Sequence, residues 1–132
     1  MPLSVEFEQD GLGVLVTPTG EMDTARFAQQ NTGFYTSEIL EKLRYQIVDL
    51  REVENVDIDL VSIQKLAETD KAVAQIIPGL KIAIVVNAGV MEGIAQIYQR
   101  YAKQDNLKTQ VFHSLPAARA WVADCVDLEA SA

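Results

Sequence analysis

The sequence predicts a single α/β domain built on a mixed, largely parallel sheet. The chain opens with two strand patterns, over residues 4–8 and 12–17, that form a β-hairpin, and helix and strand patterns then alternate. The run over residues 80–86 is almost entirely apolar, which is typical of a central parallel strand covered on both faces. A length of 132 residues suits one domain that buries about two thirds of its unfolded surface.

The opening hairpin is predicted from alternation and turn chemistry. Val5 and Phe7 fall on one face of the first strand, with polar residues between them. Residues 9–11 read Gln-Asp-Gly, which is a turn signal between two strands. Pro18 and Gly20 end the second strand.

The next segment is predicted to be helical. Asp23 is the expected N-cap of a helix that begins at Thr24, since its carboxylate can accept from free backbone amides. Residues 31–33, Asn-Thr-Gly, interrupt that helix, and a second helical piece starts near Ser37. The sequence leaves open whether these pieces form one kinked helix or two. A short strand over residues 45–50 follows.

The rest of the chain alternates regularly. The predicted elements are a helix capped by Asp59 and ended by Pro78 and Gly79, a strand over 80–86, a helix over 91–103, a strand over 108–112, and a final helix capped by Ser114. The predicted order is β-β-α-β-α-β-α-β-α. Residues 1–126 form one predicted domain, and residues 127–132 are expected to be a frayed tail.

Composition and charge disfavour several functions. The chain has 19 Asp and Glu against 11 Lys and Arg, a net charge of −8, which disfavours binding to nucleic acid or to anionic lipid. A single cysteine, Cys125, excludes an internal disulfide. A single histidine, His113, excludes a multi-histidine metal site within one chain, and no nucleophile accompanies it in a catalytic arrangement. We expect neither a metal nor a cofactor.

The sequence predicts no leader and no membrane-spanning segment. The N-terminus lacks the basic region and apolar stretch of a signal peptide. The longest apolar run, over residues 82–86, is too short to cross a bilayer. We therefore expect a cytoplasmic protein without stable membrane insertion.

Several segments resemble a known family. Residues 48–57 are similar to part of STAS domains, the anti-sigma-factor-antagonist family, in which a hydrophobic-Asp-Leu strand end and a short loop precede an Asp at the next helix start. Other features resemble the SpoIIAA-like branch, also described as STAS/SEC14-like single-domain bacterial proteins. These features are Gly20 after the hairpin, Asp49-Leu50-Arg51, the strand from Ile82 to Val85, Val111-Phe112, and Ala118 with Trp121 in the final helix. The resemblance covers almost the whole chain and implies a STAS-like fold.

The sequence departs from the signalling STAS pattern directly after Asp57. Where those domains carry a phosphorylatable Ser or Thr, this chain has Ile58, Asp59 and Leu60, none of which offers a hydroxyl group. We therefore do not extend the phosphorylation switch to this chain. Asp59 is either a permanently charged substitute at a helix N-terminus or simply an N-cap.

Asp70 is the most unusual polar residue of the predicted helices. At about 100° per residue it falls on the apolar stripe of its helix, among Leu66, Ala67 and Val73. A carboxyl group there loses hydration, which raises its pKa unless it is paired. Asp70 is a pocket carboxylate or a buried polar anchor, or its helix breaks locally, or it pairs with Lys71 or a distant arginine.

Other polar candidates lie where predicted strands end. Asp49 and Asn87 follow two parallel strands, at the edge where ligands of open α/β sheets bind. Gly89 then leads into a helix whose free amides can hold an anion, although ordinary turn chemistry explains the same residues. Asp49, Asp57 and Asp59 belong to an acidic stretch that is a face for a basic partner, a divalent-ion site or a solvated loop.

Aromatic residues on the predicted helices could line an apolar cavity. The candidates are Phe27, Phe34, Tyr35, Tyr98 and Tyr101, with Trp121 beside the last two. Such residues more often fill a core.

The resemblance favours a non-catalytic regulatory or protein-interaction module. The alternative is SEC14-like binding of a lipid or an apolar small molecule, which requires a cavity. An enzyme would need polar groups that converge at the sheet edge, for example Asp49 with Asn87, and has the least support. Assembly into a homo-oligomer is compatible with each of these functions.

Overall fold

A computed structural model describes the backbone of residues 3–131 and the side chains of residues 3–125. The strands in this range are β1 (Leu3–Glu8), β2 (Gly13–Pro18), β3 (Gly20–Asp23), β4 (Tyr45–Asp49), β5 (Val53–Asp57), β6 (Leu80–Val85) and β7 (Leu107–Phe112). The α-helices are α1 (Thr24–Phe34), α2 (Ser37–Leu40), α3 (Leu60–Ile76), α4 (Val90–Tyr101) and α5 (Leu115–Ser131). A 3₁₀ turn over Gln9–Gly11 joins β1 to β2.

The main sheet has five strands in the order β1-β2-β4-β6-β7. β1 is antiparallel to β2, and all other neighbours are parallel. This arrangement confirms the predicted mixed, largely parallel α/β sheet. β4 and β6 occupy interior positions and are almost completely buried, as the apolar run of β6 predicted.

A second, two-stranded parallel sheet, not predicted from the sequence, joins β3 to β5. These strands have only four and five residues, and most of their side chains are exposed. Such short, polar strands carry no alternation long enough to recognise. Because β3 follows β2 and β5 follows β4, the small sheet extends the edge where the parallel strands end. We call this edge the carboxyl edge.

Helices cover both faces of the main sheet. α1, α3 and α4 pack side by side on one face, and α5 packs against β4, β6 and β7 on the other. The core is divided in the same way, with one apolar cluster on each side of the sheet. Tyr98 belongs to the first cluster and Trp121 to the second, so the expectation that they line one cavity is wrong.

The three predicted helix caps are confirmed. The side chains of Asp23, Asp59 and Ser114 each accept hydrogen bonds from backbone amides in the first turn of the following helix. These bonds satisfy donors that a helix start leaves without partners. They explain why α1, α3 and α5 begin where the sequence predicts.

The helical segment after β3 forms two helices, α1 and α2. The break falls at Tyr35, not at the predicted residues 31–33. Asn31 stays helical because its side chain is buried and hydrogen-bonded elsewhere in the fold. Thr36 then caps α2 by accepting from the amide of Ile39.

The proposed domain boundary stays a prediction. The backbone of α5 is helical through Ser131, the side chains after Cys125 are not described, and Ala132 lies outside the described residues. No helix between residues 3 and 131 combines the length and the apolar character needed to cross a bilayer.

Candidate functional site: an apolar cavity with a buried carboxyl group

A cavity of about 60 Å³ lies between the main sheet and helices α1, α3 and α4. Its apolar wall consists of Met22, Phe27, Val48, Leu50, Ile63, Leu66, Ile82, Ile84, Met91 and Ile94. Its polar lining residues are Thr24, Asn31, Gln46, Asp70 and Tyr98. One water molecule needs roughly 10–15 Å³ and a cavity of about 150 Å³ holds benzene, so this space has room for a few water molecules but not for an aromatic ring.

Two helices give the cavity its length. Ile63, Leu66 and Asp70 lie on successive turns of α3, with Asp70 deepest from the carboxyl edge. Met91 and Tyr98 bracket the matching stretch of α4. Each stretch covers seven residue-to-residue steps, or roughly 10 Å of helix. The cavity therefore runs along α3 and α4 from near the carboxyl edge to a polar end.

Asp70 closes the polar end. Its side chain is only 3% exposed. Oδ2 accepts a hydrogen bond from the Tyr98 hydroxyl at 2.5 Å, and Oδ1 accepts from Nδ2 of Asn31 at 3.1 Å. The Tyr35 hydroxyl lies 3.0 Å from the same Oδ1. All three partners are uncharged donors, so the alternative in which Asp70 pairs with Lys71 is wrong, and Lys71 instead pairs with Glu68.

Gln46 completes the network beside Asp70. Its Nε2 donates to Oδ1 of Asn31 at 3.2 Å, and its Oε1 lies 2.9 Å from the Tyr35 hydroxyl. Tyr35 has one hydroxyl proton but two acceptors, Gln46 Oε1 and Asp70 Oδ1. When Asp70 is ionised and accepts the hydrogen bond from the Tyr35 hydroxyl, Gln46 Oε1 no longer receives a hydrogen bond from Tyr35. When Asp70 is protonated, it can donate to the Tyr35 hydroxyl, and Tyr35 can then donate to Gln46 Oε1.

Burial controls the ionisation of this network. Loss of hydration raises the pKa of Asp70 to about 6, although the hydrogen bonds from Tyr98, Asn31 and Tyr35 act in the opposite direction. Burial and the charge of Asp70 also raise the pKa values of Tyr35 and Tyr98 well above their ordinary range. Both tyrosines therefore remain neutral donors near neutral pH.

The polar residues at the ends of β4 and β6 serve a different purpose. Asp49 accepts from Arg51 at 2.9 Å from Nε and 2.8 Å from Nη2. Burial alone would raise the pKa of Asp49, but the hydrogen bonds and the charge of Arg51 lower it overall. Asn87 donates to the Arg51 carbonyl at 3.1 Å. Asp49 and Asn87 thus converge on the loop at Arg51 and hold it in place.

The carboxyl edge exposes large apolar side chains. Ile58 and the first residues of α3, Leu60 and Val61, are exposed, and Val90 at the start of α4 is 68% exposed. We call these four residues the carboxyl-edge patch. Asp57 beside it is exposed and acidic.

The remaining predicted site residues are placed as follows. Asp59 caps α3 and also accepts from the Ser62 hydroxyl at 2.9 Å. Gly89 precedes α4 with a φ of 118°, a conformation that favours glycine. Tyr101 is 36% exposed at the end of α4 and does not line the cavity. Phe34 stacks on Phe7 at the outer end of α1.

Two members of the Asp70 network were not predicted from the sequence. Asn31 and Gln46 were not candidates, and Tyr35 was considered only as an aromatic lining residue. Gln46 could have been predicted as a member of a polar network, because a glutamine inside an apolar buried strand requires a polar partner. Within the part of the chain that has described side chains, no group of three or more His, Cys, Asp or Glu could hold a metal ion.

Comparison with known proteins supports the fold. No protein-family model matches this chain, and no curated protein matches it significantly. A solved structure of an uncharacterized DUF3478-family protein from Shewanella loihica PV-4, with a SpoIIAA-like fold, shares 15% identity and a TM-score of 0.58, covering 91% of each chain. The unphosphorylated anti-sigma factor antagonist SpoIIAA shares 11% identity and a TM-score of 0.57, covering 92% of this chain and 98% of its own. The chain therefore has the SpoIIAA-like, STAS-type fold that the sequence predicted.

Proposed function

We propose that this chain is a non-catalytic regulatory module that binds a protein partner at the carboxyl edge of its sheet. The SpoIIAA-like fold supports a module of the STAS type, and one protein with this fold is an anti-sigma factor antagonist. The single observation that carries the location is the carboxyl-edge patch. Exposed apolar residues concentrated at one place mark interaction sites more often than isolated ones do.

The chemistry of the partner follows from the charges around the patch. Glu21, Glu54 and Asp57 are exposed on the β3–β5 sheet at the same edge. The whole chain carries a net charge of −8. A partner with an apolar centre and a rim of lysine or arginine would match this surface, and the charges would speed its association.

We propose that partner binding does not depend on phosphorylation at the start of α3. Residues 58–60 lack hydroxyl groups. The nearby hydroxyls of Ser62 and Thr24 are buried, Ser62 donates to Asp59, and Thr24 donates to the carbonyl of Asp57. These hydroxyls support the helix start and are poorly placed to accept a phosphoryl group.

The cavity favours a second candidate function, the binding of a small molecule. Its wall is apolar and its inner end is a hydrogen-bonded carboxyl group, which is a common composition for ligand sites. Its volume of about 60 Å³ is far below the roughly 300–1,000 Å³ of ordinary ligand pockets. A lipid or another ligand of ordinary size would therefore require α3 and α4 to separate.

The proposed function is tested with matched variants on one helix. Leu60→Gln with Val61→Gln removes apolar surface from the patch at the start of α3. Ile76→Gln is the control, since Ile76 is 65% exposed at the other end of the same helix. A partner captured from the host and then purified is titrated against each variant. We expect the double variant to weaken binding by at least about tenfold, the effect of roughly 1.4 kcal/mol, and Ile76→Gln to leave it unchanged. Equal binding by both variants would place the contact elsewhere.

A further inference from the structure

We propose that the open edge of β7 binds an extended, acidic peptide segment of a partner protein, which adds to the main sheet as a further strand. The segment pairs its backbone with β7 and places its carboxylates on a basic groove beside that strand. This groove lies along the second half of α4, whereas the carboxyl-edge patch includes the start of that helix. The inference therefore goes beyond the proposed function and does not depend on it.

The basic groove, of about 520 Å³, lies between α4 and β7. Its volume falls within the roughly 300–1,000 Å³ of ordinary ligand sites, and its open form suits an extended chain. Three cationic side chains line it, those of Arg100, Lys103 and Lys108. Amide side chains line it as well, and no carboxylate from the described part of the chain does.

The charges of the basic groove are not neutralised within the chain. Arg100, Lys103 and Lys108 are exposed, and none of them forms an ion pair with a residue whose side chain is described. Carboxylates of a bound segment would supply the missing opposite charges through charge-assisted hydrogen bonds. The net charge of −8 repels such a segment from a distance, but physiological salt screens exposed charges beyond about 8 Å. The local cations therefore dominate once the segment is in contact.

The backbone of β7 has one side open. Among the described strands, β7 pairs only with β6. The carbonyl of Phe112 accepts from the amide of Val86, directly after β6. Backbone groups of successive residues point alternately to the two sides of a strand, so the even-numbered residues of β7 face β6. The N–H and C=O groups of Thr109 and Val111 therefore point to the open edge, where an added strand can pair with them.

The basic groove has its shape before any segment binds. Nε2 of Gln99 donates to the Thr109 hydroxyl at 3.3 Å, which joins α4 to β7. After α4, Nε2 of Gln104 donates to the Lys71 carbonyl at 3.0 Å. The Gln104 carbonyl accepts from the Leu107 amide at 3.1 Å. These bonds hold the wall of the groove and the loop that enters β7, so binding has to order little besides the segment itself.

The experiment compares three short capped peptides that differ only in charge. In each peptide, valine alternates with one variable residue, which is glutamate, glutamine or lysine. Each peptide is titrated into the full chain at low salt, and binding is followed by calorimetry and by chemical shifts of the groove residues. We expect the glutamate peptide to bind at least about tenfold more tightly than the glutamine peptide, and the lysine peptide not to shift the groove residues. Equal affinity for the glutamate and glutamine peptides would overturn the proposal.

Amide exchange separates strand addition from simple attraction of charges. With the glutamate peptide bound, exchange should slow at the amides of Thr109 and Val111. The amides of Lys108 and Gln110 face β6 and should change little. Binding without slower exchange at Thr109 and Val111 would contradict strand addition. Slower exchange at these two amides in concentrated protein without peptide would assign the edge to a second copy of this chain, and would also overturn the proposal.

Two double variants of equal charge separate the groove from the rest of the surface. Lys103→Glu with Lys108→Glu should weaken binding of the glutamate peptide by at least about tenfold. Lys42→Glu with Lys65→Glu is the control, since both lysines are exposed and neither lines the groove. Thr109→Pro keeps all three cations but removes an edge amide, which edge strands tolerate, and should also weaken binding. Equal losses in the two double variants, or full binding by the groove variant, would contradict the proposed site.

Discussion

The carboxyl group of Asp70 is enclosed by hydrogen-bond donors that compensate for only part of the hydration its ionised form loses on burial. Three neutral groups contact it, and its pKa nevertheless rises to about 6. The sequence offered this environment as one of several alternatives, because Asp70 falls on the apolar stripe of α3. It could not predict the partners, since the hydrogen bonds join residues 28 to 39 positions apart in the chain. Contacts at that separation depend on how helices pack, which a local pattern does not encode.

Asp70 should give the protein an unusual dependence of stability on pH. Its folded-state pKa of about 6 exceeds the value near 3.9 expected when unfolded, so between these values only the folded state holds the proton. The free energy of unfolding contributed by this group is therefore highest below about pH 4. It falls by about 3 kcal/mol as the pH rises to about 6.

The measurement is urea unfolding of the wild type and of Asp70→Asn between pH 4 and pH 7. The variant should lack the decline, so the stability difference between the two proteins should change steadily through this range. Tyr98, Tyr35, Asn31 and Gln46 surround Asp70, and none of them titrates there. Parallel pH profiles would mean that Asp70 keeps an ordinary pKa.

Gly13 is required by a close contact. A Cβ atom at this position would lie 1.9 Å from the buried ring of Tyr45, whose hydroxyl donates to the Glu8 carboxylate. Gly13→Ala should therefore cost about 2 kcal/mol of stability, as overpacking of a core does. Gly93→Ala is the matched control, because nothing lies within 4 Å of that position in α4, and it should stabilise the helix slightly. Equal melting temperatures for the two variants would contradict the tight packing at Gly13.

At the level of elements, the helices were easier to predict than the short strands. A capping side chain marks a helix start because it bonds to amides within three residues of itself, as at Asp23, Asp59 and Ser114. β3 and β5 have no comparable local signal, because their pairing depends on residues more than 30 positions apart. The same reasoning explains the misplaced break at residues 31–33, where the buried contact of Asn31 outweighs its low helix propensity.

The capping of α3 can be separated from the charge of its cap. Asp59→Ala removes bonds to the Val61 amide and the Ser62 hydroxyl, and should cost about 1–2 kcal/mol. Asp59→Asn keeps an acceptor and should lose much less. Thermal unfolding of the two variants measures the difference. If Asp59→Asn lost as much stability as Asp59→Ala, the negative charge rather than the capping hydrogen bonds would be essential.

At the scale of the whole molecule, the two faces of the sheet have different roles. On the α5 face, Lys81 donates to the Asp124 carboxylate at 2.6 Å and to the Trp121 carbonyl at 2.9 Å, and it lies 4.8 Å from the centre of the Trp121 ring. These bonds fasten α5 to β6. The opposite face contains the cavity and leads to the exposed patch. The fold class could be predicted from the sequence. Which face of the sheet holds the cavity could not, because it depends on how the helices pack on the assembled sheet.

A hydrogen-exchange footprint shows whether a partner protein contacts the carboxyl edge. Amide exchange is measured for the free chain and for its complex with the captured partner. We predict slower exchange in the complex at residues 57–63 and 89–94, where α3 and α4 begin, with no change along α5. Protection confined to α5, with the starts of α3 and α4 unaffected, would contradict a partner contact at the carboxyl edge.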